Sequence, residues 1–550
     1  MGRPENMLNN RTRDLWRIWG IAFLYTCIVS VFVQFILLPF LLPRLHAGGG
    51  LFIGSPDCLW FYQMAIDMAE KIKTSGWAAW ELRPQGQAPA GIAAFIFALT
   101  WSKLWVLIPL NAALHASAFI VLFQLLNLLI KDQTKSLLCA LPFLIFPSNL
   151  QWTSQLHKDG FSILGIVLFL QGIISLSRVE NYETKKWFHN NIHSLIFSIC
   201  GIILIWIVRP FTLTIMRPFA EVLFCLLFLT FLIRTFKKEI SWQKILSVSL
   251  SMLLISFVLS QKTNLSSADF RESILASDSE EEMVEYEIEE VSQPAVAVQP
   301  IAEKPPVKKE APITVAKEEA RATAPVSQPA LTAQPIAEKP PVKKEAPIAV
   351  AKKEARQKIR KPETKRIKVK VKKLIKKDDI ENHWKRSFWL PLFIENKACF
   401  LAQVRRGFRS SSPEAKSNID HDVGFGSVKD ILIYLPRAAQ IVLLAPFPNQ
   451  WLSEGSSPGS SFMRKISAFE MAVVYFALIF LPYAIWYWRK RIEIWIIFIF
   501  CIYMMLVYGL VVCNIGTLYR MRYVYITTLV ALGIAGFISL LDQLTIRKND

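Results

Sequence analysis

The stretch "RIWGIAFLYTCIVSVFVQFILLPFLLPRLHAGGGLFIGSPDCLWFYQMAIDMAEKI", residues 17–72, decides the class of this protein. From Ile18 to Pro43 it is apolar for longer than the roughly 20 residues that a helix needs to cross a bilayer. The run is too long for a signal-peptide core and no small-residue cleavage site closes it, so it reads as a retained span. Glycines at 48–50 follow, then Asp57, then the aromatics Trp60, Phe61 and Tyr62. Phe61, Met64, Ala65, Met68, Ala69 and Ile72 recur at helical spacing and predict an apolar stripe facing the membrane. Asp67 and Glu70 face away from it and read as solvated surface.

The rest of the chain repeats the theme of the first span. Hydrophobic residues make up 53% of the 550 and charged ones only 19%, with a mean hydropathy of +0.34. A water-soluble chain with that balance would bare too much apolar surface, whereas a bilayer accepts it. Ten apolar runs qualify as spans, near 18–43, 104–130, 136–151, 160–177, 192–208, 219–234, 244–260, 468–488, 494–513 and 524–541. The expected fold is therefore an all-α polytopic membrane protein with about ten transmembrane helices. The shorter run "APAGIAAFIFALTW", 88–101, reads as interfacial or re-entrant.

Basic residues in short loops set the expected orientation. Arg3, Arg11, Arg13 and Arg17 precede the first span. Lys131 and Lys135, Lys185 and Lys186, Arg234 with Lys237 and Lys238, the "RKR" at 489–491 and the closing "IRKND" share its side if ten spans alternate. The positive-inside rule then places both termini in the cytoplasm of an inner-membrane protein. The outer face receives 44–103, the turns 152–159, 209–218 and 514–523, and a great loop, 261–467.

Four regions follow: an N-terminal membrane domain (1–260), a linker (261–383), external interfacial helices (384–467) and C-terminal membrane helices (468–550). The linker carries the acidic "SDSEEEMVEYEIEE" (277–290), two Pro/Lys-rich copies starting at Gln293 and Gln328 with a 35-residue period, and the basic "RKPETKRIKVKVKKLIKK" (360–377). Two copies are too few for a solenoid, and Pro, Ala, Lys and Glu build no core, so it reads as a disordered polyampholyte spacer. Much of the net charge of +20 sits there. Its external side and scarcity of aromatics speak against nucleic acid as a partner. Beyond it, 384–447 holds apolar runs interrupted by Pro391, Pro436, Arg437 and Pro446. An arginine beside a proline in mid-run disfavours an eleventh span at 428–447, and these runs are expected to lie along the outer membrane surface.

Of eight cysteines, Cys58 and Cys399 fall outside the spans and could pair. No CxxC pair or HExxH motif supports a metal site, and no cofactor is expected. His115 and His157 are isolated in sequence and read as packing or surface residues.

Asp57 admits two readings. It can cap the helix that follows, or act as a general base at headgroup depth, taking a proton from an acceptor hydroxyl. Here the chain resembles the GT-C type of membrane glycosyltransferase, which uses polyprenyl-phosphate sugars and includes protein mannosyltransferases and lipid A aminoarabinose transferases. Asp57, Phe61, Ala65, Met68, Gly76 and Trp77 follow that family's first external loop in order. "RPQGQAPAGIAAFIFAL" (83–99) resembles its Pro-rich loop and apolar helix, and "LIPLNAALHASAFIVLFQLL" (107–126) its second main span. The chain departs from the pattern in having a single Asp57 followed by Cys58, and Gln87 where a lysine often precedes the prolines.

The resemblance implies a GT-C-like fold and displacement at an anomeric carbon, with a sugar lipid as donor and a glycan, lipid or protein as acceptor. Asp57 would activate the acceptor, while cations would hold the departing phosphate. Lys158, Arg209, Arg217, Arg520 and Arg522 lie in the external turns and are the candidates, Arg520 and Arg522 foremost. Trp60, Phe61 and Tyr62 would line the sugar. Each arginine could instead snorkel to headgroups. Two rivals stand beside this reading: an O-antigen-type polymerase or ligase that relies on external arginines without Asp57, and a non-enzymatic transporter or envelope scaffold. Span centres nearly free of charge disfavour transport. Topology is directly testable. Reporter fusions at 133, 236 and 490 should report cytoplasm and one at 330 the outside; a cytoplasmic signal at 330 refutes the shared external face.

Overall fold

In the computed structural model, residues 4–178, 184–261 and 384–549 are described, apart from positions 412, 414 and 457. The linker expectation, including both 35-residue copies, therefore lies outside the described residues save for position 261. All regular structure among the described residues is helical, with only isolated β-bridges besides. Nine helices there are long and apolar enough to cross a membrane. The chain has the character of a polytopic membrane protein.

The first span, α1 (Pro4–Phe32), continues into a wider π-helical segment, Val33–Leu41. Pro39 lies inside that segment and has no N–H for the helical ladder. The widened turns carry a buried Gln34, whose Nε2 donates to the Ser154 carbonyl at 2.5 Å. A helical hairpin follows, α2 (Pro56–Ser75) and α3 (Ala88–Leu99). The stripe from Phe61 to Ile72 is buried as its periodicity predicts, yet it meets Ala90, Ala93, Ala94 and Phe97 of α3 rather than lipid. Asp67 and Glu70 are exposed. At twelve residues α3 is too short to span, and it closes the hairpin.

The expected span at 136–151 is corrected. After α4 (Ile108–Ile130) the chain forms α5 (Gln133–Ile145), then breaks at Phe146 before α6 (Pro147–Thr153). Proline 147 drives Phe146 out of the helical region, to a ψ of 124°. α5 packs along the last helix, α15 (Ile515–Asn549), with Lys135 Nζ on Asp542 at 2.5 Å and the Phe143 carbonyl accepting from the Tyr523 hydroxyl, while the Ser148 amide of α6 donates to Glu470. Neither piece is among the nine helices long and apolar enough to cross a membrane.

Four helices complete the first half: α7 (Asp159–Ser177), α8 (Thr184–Val208), α9 (Pro210–Phe236) and α10 (Trp242–Ser260). The expected turn at 209–218 is therefore a single break at Arg209, after which the chain is helical from Pro210. The α7–α8 pair approaches backbone to backbone through small residues. A Cβ placed on Gly201 would lie 2.5 Å from the Gly165 carbonyl oxygen. This is how helices associate where lipid removes the hydrophobic drive between them.

Residues 384–457 form a polar-anchored layer with α11 (Leu392–Ser411) and α12 (Val428–Leu444). Arg405 is its fully buried anchor, donating to the carbonyls of Val423, Leu510 and Asp420. Arg437 pairs with Asp420 at 2.9 Å, and the 17-residue α12 is not among the spans. The remaining long helices are α13 (Pro458–Tyr487), α14 (Ile492–Val511) and α15. Every cysteine is free; Cys58 is buried, its sulfur against Gln155 and the Leu156 amide, so the Cys58–Cys399 pairing is not formed. Gly201→Leu should cost about 1–3 kcal/mol through overpacking of α7 on α8, read as a lower unfolding temperature in detergent, while a leucine at Gly20, where an added Cβ meets nothing within 4 Å, should leave it unchanged.

Candidate functional site

Charged residues at the ends of several apolar runs converge. Asp57 occupies the first turn of α2, and its Oδ2 receives Arg520 Nη1 at 2.9 Å. The residue at the helix N-cap is Ser55, so Asp57 spends its carboxylate on an ion pair rather than on a cap. Arg520 Nη2 donates to Asp159 Oδ2 at 3.0 Å and to His157 Nδ1 at 3.1 Å. Arg209, at the α8–α9 break, donates to the other oxygen of Asp159 at 2.6 Å. Three segments far apart in sequence, 55–57, 157–159 and 209, thus meet on the first turns of α15.

The local folding explains the placement. Pro56 begins α2 and aims Asp57 from its first turn. The loop 154–158 is held on several sides. Gln155 accepts from the Phe52 amide at 3.0 Å and donates to the Gly50 carbonyl at 2.8 Å, while Asn111 donates to the Thr153 and Gln155 carbonyls. Asp159 then opens α7 almost fully buried, with a side chain 2% exposed.

Burial and charge fix protonation states. Burial pushes the His157 imidazole down to about 3, helped by the Arg520 guanidinium, so the ring is neutral at physiological pH. Arg520 has only N–H groups to offer, hence Nδ1 of His157 is the acceptor and Nε2 carries the proton. Nε2 lies 2.9 Å from Ser55 Oγ and donates to it. Ser55, His157 and Asp159 resemble a nucleophile triad in composition alone. The base points the wrong way, since His157 cannot take the serine proton, and its Nδ1 stands 4.0 Å from Asp159. Burial raises the Asp57 carboxyl, but Arg520, with His157 and Lys158 behind it, brings it below its ordinary value overall. Burial and the Arg209 charge bring Lys158 down to about 8. Its ammonium sits 5.3 Å from the Phe61 ring centre.

The sum is three cations, Arg209, Arg520 and Lys158, against two carboxylates. Asp57 is 54% exposed and Lys158 half-buried, so the open side of the cluster presents one carboxylate beside a cationic surplus. Such a site can bind an anionic oxygen ester. Among the described residues no group of three His, Cys, Asp or Glu could hold a metal ion.

The other sequence candidates are placed elsewhere. Arg522 is 1% exposed and donates to the Ile441 and Val442 carbonyls at the end of α12, as well as to Ala445. It anchors the layer formed by α11 and α12. Arg217 lies within α9, paired with Glu221 at 2.6 Å on an exposed face. Tyr62 donates to the Ser102 carbonyl and packs on Phe97, Trp60 is exposed beside Phe61, and only Phe61 touches the cluster through Lys158. Sequence reading missed His157 and Ser55 as site residues and left Asp159 unassigned. The "HKD" triplet at the mouth of a span was the available signal.

An apolar groove between α9, α11, α14 and α15 is lined by Phe211, Ile215, Phe400, Val404, Val507 and Met521. Phe211 lies two residues past Arg209, and Met521 one past Arg520. No protein-family model, curated protein or solved structure matches the chain. The Lys158 ammonium is charged below about pH 8 and lost above it. Binding of a soluble phosphate ester to the purified protein should therefore weaken as pH rises through about 8, and Lys158→Arg should flatten that dependence; an unchanged slope in the variant would remove Lys158 from the site.

Proposed function

We propose that the protein is an integral membrane glycosyltransferase, moving a sugar from a polyprenyl-phosphate donor to an envelope acceptor. The supporting observation is the half-exposed Asp57 carboxylate bonded to Arg520 in a cluster with surplus positive charge, with an apolar groove on the helices α9 and α15 that also carry Arg209 and Arg520. The donor phosphate competes with Asp57 for Arg520 and is shared with Arg209 and Lys158, while its isoprenoid chain follows the groove. Once Arg520 turns to the phosphate, Asp57 loses the partner that depresses its basicity and can take the acceptor hydroxyl proton. The acceptor oxygen bonds to the anomeric carbon as the carbon–oxygen bond to phosphate breaks. The phosphate leaves with that electron pair, stabilised by the cations. Phe61 and the exposed Trp60 offer faces for the sugar.

One observation favours a second reading. In the resting cluster Asp57 is tied to Arg520 at 2.9 Å, as a residue that merely orients the arginine would be. An arginine-dependent polymerase or ligase has that need. Transfer of label from polyprenyl-phosphate sugar, in membranes with matched protein levels, separates the two. Asp57→Asn should lower the rate about a hundredfold or more, the usual loss with a general base, and Arg520→Gln should raise the donor concentration needed as well. Full transfer by Asp57→Asn with a dead Arg520→Gln moves the polymerase or ligase ahead, and no transfer to any acceptor by the intact chain leaves the scaffold reading.

A further inference from the structure

The layer of α11 and α12 presents an apolar wedge where the chain enters α11, through "WKRSFWLP" (384–391). The start of this segment is pinned. Glu395, buried in the first turn of α11, accepts from the Trp384 indole nitrogen at 2.9 Å and from the Ser387 amide at 2.8 Å. The Lys385 amide donates to the Gly426 carbonyl at 2.8 Å. With 384–387 held, the turn that follows projects Phe388, which is fully exposed, and Trp389, exposed at 62%. Leu392 and Phe393 at the start of α11 are exposed too, the latter at 69%. Four large apolar side chains within six residues make a contiguous patch, and such a patch marks a surface that something covers.

Depth says what covers it. The span α14 has 20 residues, about 30 Å of helix, which is the thickness of a bilayer core. Its last turn therefore lies at the boundary between acyl chains and headgroups. The apolar groove touches α14 only from Val507 to Val511 and α9 only from Phe211 to Ile215, about 6 Å of each helix. On α11 it extends from Phe400 to Phe408, about 12 Å. Helix α11 thus crosses the ends of these spans instead of following them, and it does so at headgroup depth. Phe400 lies two turns after Phe393 on the same face; it is exposed and also lines the groove, so apolar surface continues from the wedge to the groove. Exposed Lys385 and Arg386 precede the wedge, and the basic run 360–377 precedes them in sequence. Basic residues beside aromatics suit an interface with lipid headgroups.

We propose that Phe388, Trp389, Leu392 and Phe393 insert into the bilayer surface at the Asp57 end of the protein, so that the partner of this patch is lipid. Arg522 joins the layer to α15 two residues past Arg520, which fixes that end. Leu392 and the two phenylalanines reach the acyl chains, the Trp389 indole stays at headgroup depth, and Lys385 and Arg386 meet the phosphates. The groove then opens to the leaflet past Phe400, and a lipid chain can enter it without crossing water. The insertion is independent of any sugar transfer.

Photocross-linking of the full chain in its own membrane tests this. Phe393→benzoylphenylalanine keeps an aromatic ring at an exposed position and leaves the packing alone. The same probe at Leu226, exposed on the spanning helix α9, supplies the reference for lipid contact, and at Glu454, exposed in a polar loop, the reference for water. Irradiation should attach phospholipid at 393 with a yield close to that at 226, and leave 454 at background. Trp389→Ser in the Phe393→benzoylphenylalanine chain should lower the lipid yield at 393, because a neighbouring anchor is lost. Cross-links from 393 to a second protein, or to this chain itself, in place of lipid would assign the patch to a protein contact and overturn the proposal. A yield at 393 no higher than at 454 overturns it as well, since 226 shows that the probe reports lipid when lipid is there.

Discussion

One guanidinium organises one end of this bundle. Arg520 faces the carboxylates of α2 and α7 and the ring of His157, and Asp159 passes the connection to Arg209. Charges this deep are tolerated only when paired, and breaking a buried pair by removing one partner costs about 3–5 kcal/mol. The constraint works in both directions. The helices must bring their ends together to satisfy the charges, and the charges hold 154–159 in one conformation with help from Gln34, Gln155 and Asn111.

The same helix ties the site to the layer of α11 and α12. Two residues past Arg520, Arg522 enters the protein and binds the carbonyls that end α12. One residue before it, Tyr519 bonds the fully buried Glu470 of α13, whose other oxygen receives the Ser148 amide. Residues within one turn of α15 thus face the layer of α11 and α12, the charged cluster, and the Glu470 that holds α6. The contacts of Arg522 with that layer and of Arg520 with the cluster lie within a single helical turn. On the proposed reading, an acceptor reaching that layer has a short mechanical route to the donor site.

Charges at the ends of apolar runs led to Asp57, Lys158, Arg209 and Arg520, and the structure brings these four together. The same rule also selected Arg217 and Arg522, which it does not separate from the others. Arg522 and Arg520 are two residues apart and differ by about 200° around a helix of 3.6 residues per turn. Which of them faces the cluster depends on the rotation of α15 against its neighbours, a packing property. His157 looked isolated because its partners, Ser55 and Arg520, are 102 and 363 residues away in the chain.

The sequence by itself determined the membrane class, the apolar helices and the chemical types available at their ends. Those are local properties: hydrophobic length answers to bilayer thickness, and periodicity answers to the helical repeat. It also carried Pro147, which separates α5 from α6, although the run around it reads as one span when only hydropathy is weighed. Tertiary structure alone decided that the α2 stripe packs on α3, that Arg209 sits at a break rather than in a long turn, and that Arg520 bridges two carboxylates. Each is a choice of neighbour. The physical reason is that burying a charge or an apolar face requires a complementary surface, and that surface comes from segments whose distance in sequence bears no relation to their distance in space.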